Sequence, residues 1–222
     1  MEQKPTGYYD LINDDLLNSI PLDAGVVVEV GCGTGSLGAE YKKRNADCVY
    51  YGIEIDAVSA RVATDRLDKV YCASVDTVDL SDLAGRIDCL VYGDVLEHLI
   101  DPWAILGRHC ALLKAGGKVV ACIPNVQHWS LLEHLLQGNW VYHDHGILDN
   151  THLRFFTLNS IFSLFLGVGL RIDQVIGLKI NQNSAEAFFQ RIRPALAGLG
   201  IDEDAFLQRI GALQYLVVAS RE

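Results

Sequence analysis

At 222 residues, half of them hydrophobic and 21% charged, the chain can bury a substantial core, which excludes a disordered or low-complexity protein. Its 28 acidic residues against 18 basic ones leave a formal charge of −10, and the densest basic cluster, Lys42-Lys43-Arg44, reads as the end of a helix, so no nucleic-acid partner is expected. No apolar run approaches the roughly 20 residues of a membrane span, Met1-Glu2-Gln3-Lys4-Pro5 holds no apolar core, and the six cysteines include no C-x-x-C pair, so a reduced cytoplasmic protein is expected.

Along the chain, apolar runs of strand length alternate with stretches of helical period, the pattern of an α/β fold. Residues 1–22, with Leu11, Leu16, Leu17 and Ile20 at helical spacing, are expected to form a helical cover. A first strand is predicted over 26–30, then a glycine-rich turn and a helix over 36–44. The second strand, 49–53, ends at Glu54, and Asp56 is placed to cap a helix with Val58, Val62 and Leu67 as its apolar face. Short strands are predicted at 70–73 and 89–92, and their near-continuous apolar content suits burial on both faces.

Asp101-Pro102 opens the clearest helix, an N-cap followed by proline at the first helical position. Trp103, Leu106, Cys110 and Leu113 share one face, Lys114 falls in the last turn, and Gly116-Gly117 is expected to stop the helix. A fifth strand over 118–123 runs into Pro124. Thr157 caps a helix carrying Ile161, Phe162, Phe165 and Leu166, and later strands are predicted at 171–178 and 214–220. Residues 179–213, with Phe188, Phe189, Ile192 and Leu196 at near-helical spacing, form a helical insertion before the last strand. No internal repeat or linker interrupts 1–222, so one domain is expected.

The turn Glu29-Val30-Gly31-Cys32-Gly33-Thr34-Gly35 lies between the first strand and its helix. Its glycines allow positive φ and close backbone approach to a ligand, and the helix behind them presents unpaired N–H groups, so the turn suits a nucleotide-like cofactor or an anion. Its spacing is G-x-G-x-G, whereas the dinucleotide fingerprint is G-x-G-x-x-G and a P-loop needs G-K-[ST]. Glu54, 21 residues beyond Gly33, stands where an acidic side chain reaches ribose hydroxyls in folds of this kind.

The segments EVGCGTG (29–35), GIEID (52–56), GDVLEHL (93–99) and LKAGGKVV (113–120) together resemble the ordered motifs of class I S-adenosylmethionine-dependent methyltransferases. The likeness covers residues 8–178 and is strongest to the branch that includes the ubiquinone-biosynthesis O-methyltransferases and their uncharacterised bacterial relatives. It implies a Rossmann-like, seven-stranded, mostly parallel sheet with helices on both faces and a small cap after strand five. The cofactor, S-adenosylmethionine, would lie over the carboxyl ends of strands one, two and four. Carried over residue by residue, the resemblance places Gly31, Gly33 and Gly35 beneath the methionine part of the cofactor, with Glu29 orienting the loop or meeting the amino group. Glu54 would hold the ribose and Ile55 the adenine face. Ser74 and Val75 occupy the place where the family often has an aspartate near the adenine amino group, Asp76 substituting if the register slips; Asp94 lines the methionine end. Tyr8 or Tyr9 would close the site. Acidic groups around a sulfonium cation are electrostatically favourable.

Five of the seven histidines, His128, His134, His143, His145 and His152, fall after strand five with Trp129, Trp140 and Tyr142. This stretch, 124–157, is expected to cap the acceptor, a small molecule of lipid or sugar type methylated at oxygen. A histidine is a suitable base for a hydroxyl proton, and His98, His128 and His152 are the candidates for that role or for orienting the acceptor. Asp94-x-x-Glu97-His98 resembles a segment linked with divalent-metal dependence in some ubiquinone-pathway relatives, but near-consecutive loop positions predict metal weakly, and no metal is expected. Two other readings stay open: a non-catalytic module that binds the same cofactor, and a nicotinamide-dependent oxidoreductase, which the glycine spacing disfavours.

Overall fold

The computed structural model describes residues 12–222. In chain order the elements are α1 (Asp14–Ser19), β1 (Val26–Val30), α2 (Ser36–Arg44), β2 (Val49–Glu54), α3 (Ala57–Thr64), β3 (Lys69–Cys72), β4 (Ile87–Gly93), α4 (Pro102–Cys110), β5 (Leu113–Pro124), α5 (Trp129–Leu136), α6 (Leu158–Gly167), β6 (Leu170–Leu178), α7 (Gln182–Gly198), α8 (Glu203–Gly211) and β7 (Gln214–Arg221). The strands make one seven-stranded sheet in the order β3-β2-β1-β4-β5-β7-β6. β7 runs antiparallel to both its neighbours and every other pairing is parallel, so the expected α/β sheet is present.

Successive side chains of a strand point to opposite faces, and here both faces are covered. Val28, Leu90, Val119 and Val217 pack on one side with α4 and α6, through Ile105, Leu106, Ile161 and Phe165. Val27, Val91, Val120 and Leu216 pack on the other side with α1, α2 and α3, through Leu16, Leu17, Tyr41 and Ala63. A strand buried in this way is apolar at nearly every position, and β1 reads Val-Val-Val-Glu-Val, with Glu29 the one polar residue.

Asp56, Asp101 and Thr157 cap α3, α4 and α6 as expected, each accepting a backbone N–H of the first turn. Two expected helix faces are corrected. In α3 the buried positions are Ser59, Ala60 and Ala63, while Val58 and Val62 face solvent. The helix lies so near the glycine turn that a Cβ on Gly35 would sit 3.2 Å from Ala63, and only small residues fit there. In α4 Trp103 is exposed, and Ile105 and His109 are buried with Leu106 and Cys110.

The end of α4 also differs from expectation. The helix stops at Cys110, and Leu113 already pairs with Ile87 of β4. Lys114 to Gly117 form an irregularity in β5, with Gly116 at φ 73°. The bend carries Lys114 to Asp88, whose other oxygen accepts the N–H groups of Gly25 and Val26 at 3.0 and 2.7 Å. Gly116-Gly117 therefore shapes a strand entry that anchors the start of β1. Cys72, read as a small strand hydrophobe, is exposed at the end of β3.

Between β6 and β7 the chain forms α7 and α8, and Phe188, Phe189, Leu196 and Ile210 form a cluster of their own against Trp129 and Leu132 of α5. This segment is thus packed onto α5. Among the described residues no helix is long and apolar enough to cross a membrane.

Candidate active site

The glycine turn begins where β1 ends. Gly31, Gly33 and Gly35 take φ values of 69°, 54° and 77°, left-handed geometry that a side chain would strain. A Cβ on Gly31 would also stand 2.6 Å from Val95 Cγ2, in the loop after β4. The turn is tied to the neighbouring strand: the N–H groups of Gly31 and Cys32 donate to the Ile53 carbonyl at 2.8 and 3.1 Å. Gly33 N–H donates to Glu54 Oε2 at 2.8 Å, and Asp56 N–H donates to Oε1 at 2.8 Å. One carboxylate therefore holds the turn after β1 and the start of the segment after β2.

Glu29, on β1 beneath the turn, is buried and accepts the Tyr50 hydroxyl at 3.1 Å. Burial pushes its carboxyl up to about 8; the Tyr50 hydrogen bond acts the other way and the Glu54 charge adds to the rise. Ile55, beside Glu54, is 63% exposed. Ser74 Oγ donates to Asp76 Oδ2 at 3.0 Å and accepts the Asp76 N–H at 3.2 Å, so both groups sit together in the loop after β3. Val75 turns its side chain into the core, while its carbonyl accepts Arg108 Nη2 at 2.7 Å. An adenine ring placed here would meet Val75 through its backbone, not its side chain.

Asp94, just beyond β4, has φ 53°, one of two non-glycine residues with positive φ among the described residues. The other is Lys179, beyond β6. The Asp94 side chain opens to solvent yet is walled by protein. That surrounding raises its carboxyl to about 6, with the Lys179 charge opposing the rise.

A second group of side chains lies in the turn that follows. Leu96–His98 is a single 3₁₀ turn, and the carbonyl of Glu97 accepts the N–H groups of Leu153 and Arg154 at 2.8 and 2.9 Å. These bonds bring Leu153 and Arg154 onto the turn. His98 Nδ1 lies 3.2 Å from the Thr151 carbonyl, and His152 Nδ1 lies 2.9 Å from the Ile147 carbonyl. The two imidazole rings meet edge to face at 4.7 Å. The Glu97 side chain is buried beneath them, its Oε1 3.9 Å from His152 Nε2, and burial holds its carboxyl well above the usual range.

The fold thus brings together two of the three histidines singled out from the sequence. His128 stands elsewhere, at the N-cap of α5, with Nδ1 2.8 Å from Ser130 Oγ and its ring against Trp129; burial lowers its pKa. Glu97 was absent from the expected catalytic set, although the adjacent Glu-His pair carried the signal. Trp140 packs on Phe155, and Phe155 on His152, so aromatic rings adjoin the histidine pair. Tyr8 and Tyr9 lie outside the described residues.

Residues 6–175 match the family model of a methyltransferase domain. Two ubiquinone biosynthesis O-methyltransferases from Rhodopseudomonas palustris, strains HaA2 and BisB5, are 26% and 28% identical over 163 and 160 residues. Each match takes in 70% of this chain but 62% of the relative's length, so the chain spans under two thirds of these relatives. An S-adenosylmethionine-dependent methyltransferase structure from Archaeoglobus fulgidus superposes with a TM-score of 0.64 at 17% identity, covering 94% of this chain and 90% of the other. The family match, the sheet order and a glycine turn at the carboxyl edge of β1 agree: the chain belongs to the class I S-adenosylmethionine-dependent methyltransferases.

Proposed function

We propose that the protein transfers a methyl group from S-adenosylmethionine to an oxygen of a small-molecule acceptor of lipid or sugar type. The observation that carries this reading is the glycine turn, whose three left-handed residues are pinned by Glu54 between β1 and β2. The names of the ubiquinone-pathway relatives support oxygen as the accepting atom.

S-adenosylmethionine supplies a methyl group on a positively charged sulfur. Gly31, Gly33 and Gly35 give its amino-acid end a floor without Cβ atoms, while Glu29 below and Asp94 beside them set negative potential around the cation. Each carboxylate oxygen of Glu54 accepts one backbone N–H and retains a lone pair for a ribose hydroxyl. Ile55 covers the adenine, Ser74 and the Val75 backbone border its edge, and Tyr9 closes over the cofactor. His98 and His152 face the acceptor and take its hydroxyl proton as the oxygen attacks in line with the sulfur–carbon bond, His128 orienting the acceptor from the start of α5. Residues 124–157 form the cap that excludes water from this step.

In this reading 1–222 is one methyltransferase domain, with 1–22 as its N-terminal cover and 179–213 as an insertion bracing the cap. Its acidic surface does not serve nucleic acid. Six cysteines without a disulfide fit a reducing compartment such as the cytoplasm.

Calorimetric titration with S-adenosylmethionine and with NADH tests the cofactor. Incubation with methyl-labelled cofactor and deproteinised metabolite and lipid extracts tests the reaction. Label on an acceptor oxygen, with S-adenosylhomocysteine formed in equal amount, supports the proposal. Preferential NADH binding would replace it with an oxidoreductase, and cofactor bound but never consumed would leave a binding module.

A further inference from the structure

The two non-glycine residues with positive φ, Asp94 at 53° and Lys179 at 52°, both stand at the carboxyl edge of the sheet, just after β4 and just after β6. Left-handed backbone strains any residue but glycine, and strain of this kind gathers at ligand sites. The strands between them fix their spacing. Asp94 N–H donates to the Cys122 carbonyl of β5 at 3.3 Å, Pro124 of β5 pairs with Gln214 of β7, and Gln214 pairs with Leu178, the residue before Lys179. Three strand spacings of about 4.8 Å set the two backbones roughly 14 Å apart. Lys179 is exposed, and its positive charge acts on the Asp94 carboxyl across that gap.

Gln214 stands between them, because β7 runs antiparallel and so begins at this edge. Its side chain is buried, with 6% of the residue exposed, and Nε2 has no hydrogen-bond partner; only the Cys122 thiol, a weak acceptor, lies beside the amide. Asn13 Nδ2 already donates to that sulfur at 3.3 Å. A buried amide N–H in this state calls for an oxygen. An ammonium and an amide N–H together suit a carboxylate, which has one charge and two accepting oxygens. A dianionic phosphate fits less well, since Asp94 and Asp149 set negative potential around Glu97 on the β4 side.

We propose that Lys179 and Gln214 bind a carboxylate group of the methyl acceptor, which makes Lys179 a specificity-determining residue. The acid end of the acceptor sits at the ends of β6 and β7, and its hydroxyl points back across the edge towards Asp94 and the cofactor. The acceptor is then a hydroxy acid. That the bound acid is an acceptor rests on the methyl-transfer reading; the carboxylate site itself stands on the sheet register and the unpaired amide.

The full chain, with and without S-adenosylhomocysteine, is titrated by calorimetry with benzoate and hexanoate, and with benzamide and hexanamide as neutral counterparts. At least one carboxylate should bind about tenfold more tightly than its amide. Lys179→Gln should abolish that preference, Lys179→Arg should keep it, and Gln214→Leu should reduce it, while S-adenosylhomocysteine affinity stays unchanged in Lys179→Gln. Lys179→Gly should lose the preference and yet raise the unfolding temperature, because glycine relieves the left-handed strain. No preference for either carboxylate in the wild type overturns the proposal and leaves Lys179 as a counter-charge to Asp94. A preference undiminished in Lys179→Gln overturns it equally, and so does lost S-adenosylhomocysteine affinity in that variant, which would assign Lys179 to the cofactor. Wild type that binds S-adenosylhomocysteine without preferring a carboxylate defeats the carboxylate site alone. A carboxylate preference without S-adenosylhomocysteine binding defeats the methyl-transfer reading alone.

Discussion

Glu54 and Gly33, on adjacent strand ends, are joined by a 2.8 Å hydrogen bond from the glycine N–H to carboxylate Oε2. The same side chain accepts Asp56 N–H through Oε1, so it ties the loops after β1 and β2 together. Glu54→Ala should therefore weaken S-adenosylhomocysteine binding by about 1–3 kcal/mol and also lower the unfolding temperature. Calorimetry and thermal unfolding of one preparation read both effects. An affinity loss with unchanged stability would show that the carboxylate serves the ligand alone.

Gly31 carries two separable constraints, its φ of 69° and the 2.6 Å approach to Val95 Cγ2 that a Cβ would make. Gly31→Ala should cost roughly 1–3 kcal/mol of stability and most of the cofactor affinity. Adding Val95→Ala should return the part due to the clash while the backbone part persists. A double-mutant cycle in denaturant measures the division, and no coupling between the sites would show that the loop simply moves apart.

The raised carboxyl of Glu29, at about 8 against an ordinary 4.5, gives stability a defined pH sense. Between those values the folded chain holds the proton that the unfolded chain releases, so this residue's contribution declines as pH rises from 4.5 through 8. Glu29→Gln should flatten that decline in a series of unfolding midpoints. A cationic ligand displaces the same proton, so S-adenosylmethionine affinity should rise with pH through about 8 in the wild type and lose that slope in the variant.

His109 has the opposite sense. It is buried with Nδ1 2.8 Å from the Tyr92 hydroxyl, and burial lowers its pKa to about 4. The unfolded imidazole, near 6.5, takes up a proton first, so stability is complete above 6.5 and falls as pH drops towards 4. His109→Gln should be less stable at neutral pH, through lost packing, but should show a shallower acid limb. Unfolding midpoints between pH 7 and pH 4.5 measure this, and an unchanged slope would remove His109 from acid sensitivity.

Much of this protein was legible in its residues because the relevant signals are local. Central strands buried on both faces demand apolar runs, caps demand Asp or Thr at one position, and a turn with three left-handed residues demands glycine. Reading failed where a neighbour set the rule. Val58 and Val62 looked like the inner face of α3, but the buried face carries Ser59, Ala60 and Ala63, and Ala63 lies where Gly35 leaves room for only a small side chain. Gly116-Gly117 looked like a helix stop because glycine marks a left-handed residue without saying which element contains it.

Sequence by itself determined the α/β alternation, the glycine turn and the acid at the end of β2, since each depends on side chains a few positions apart. Only the tertiary structure decided that Glu54 grips backbone on both sides, that α7 and α8 brace α5, and that Glu97, His98 and His152 meet. Such meetings join segments far apart in the chain, where no periodicity links one residue to the next. Their chemistry arises from burial and distance, which exist only once the sheet has brought the loops to one edge.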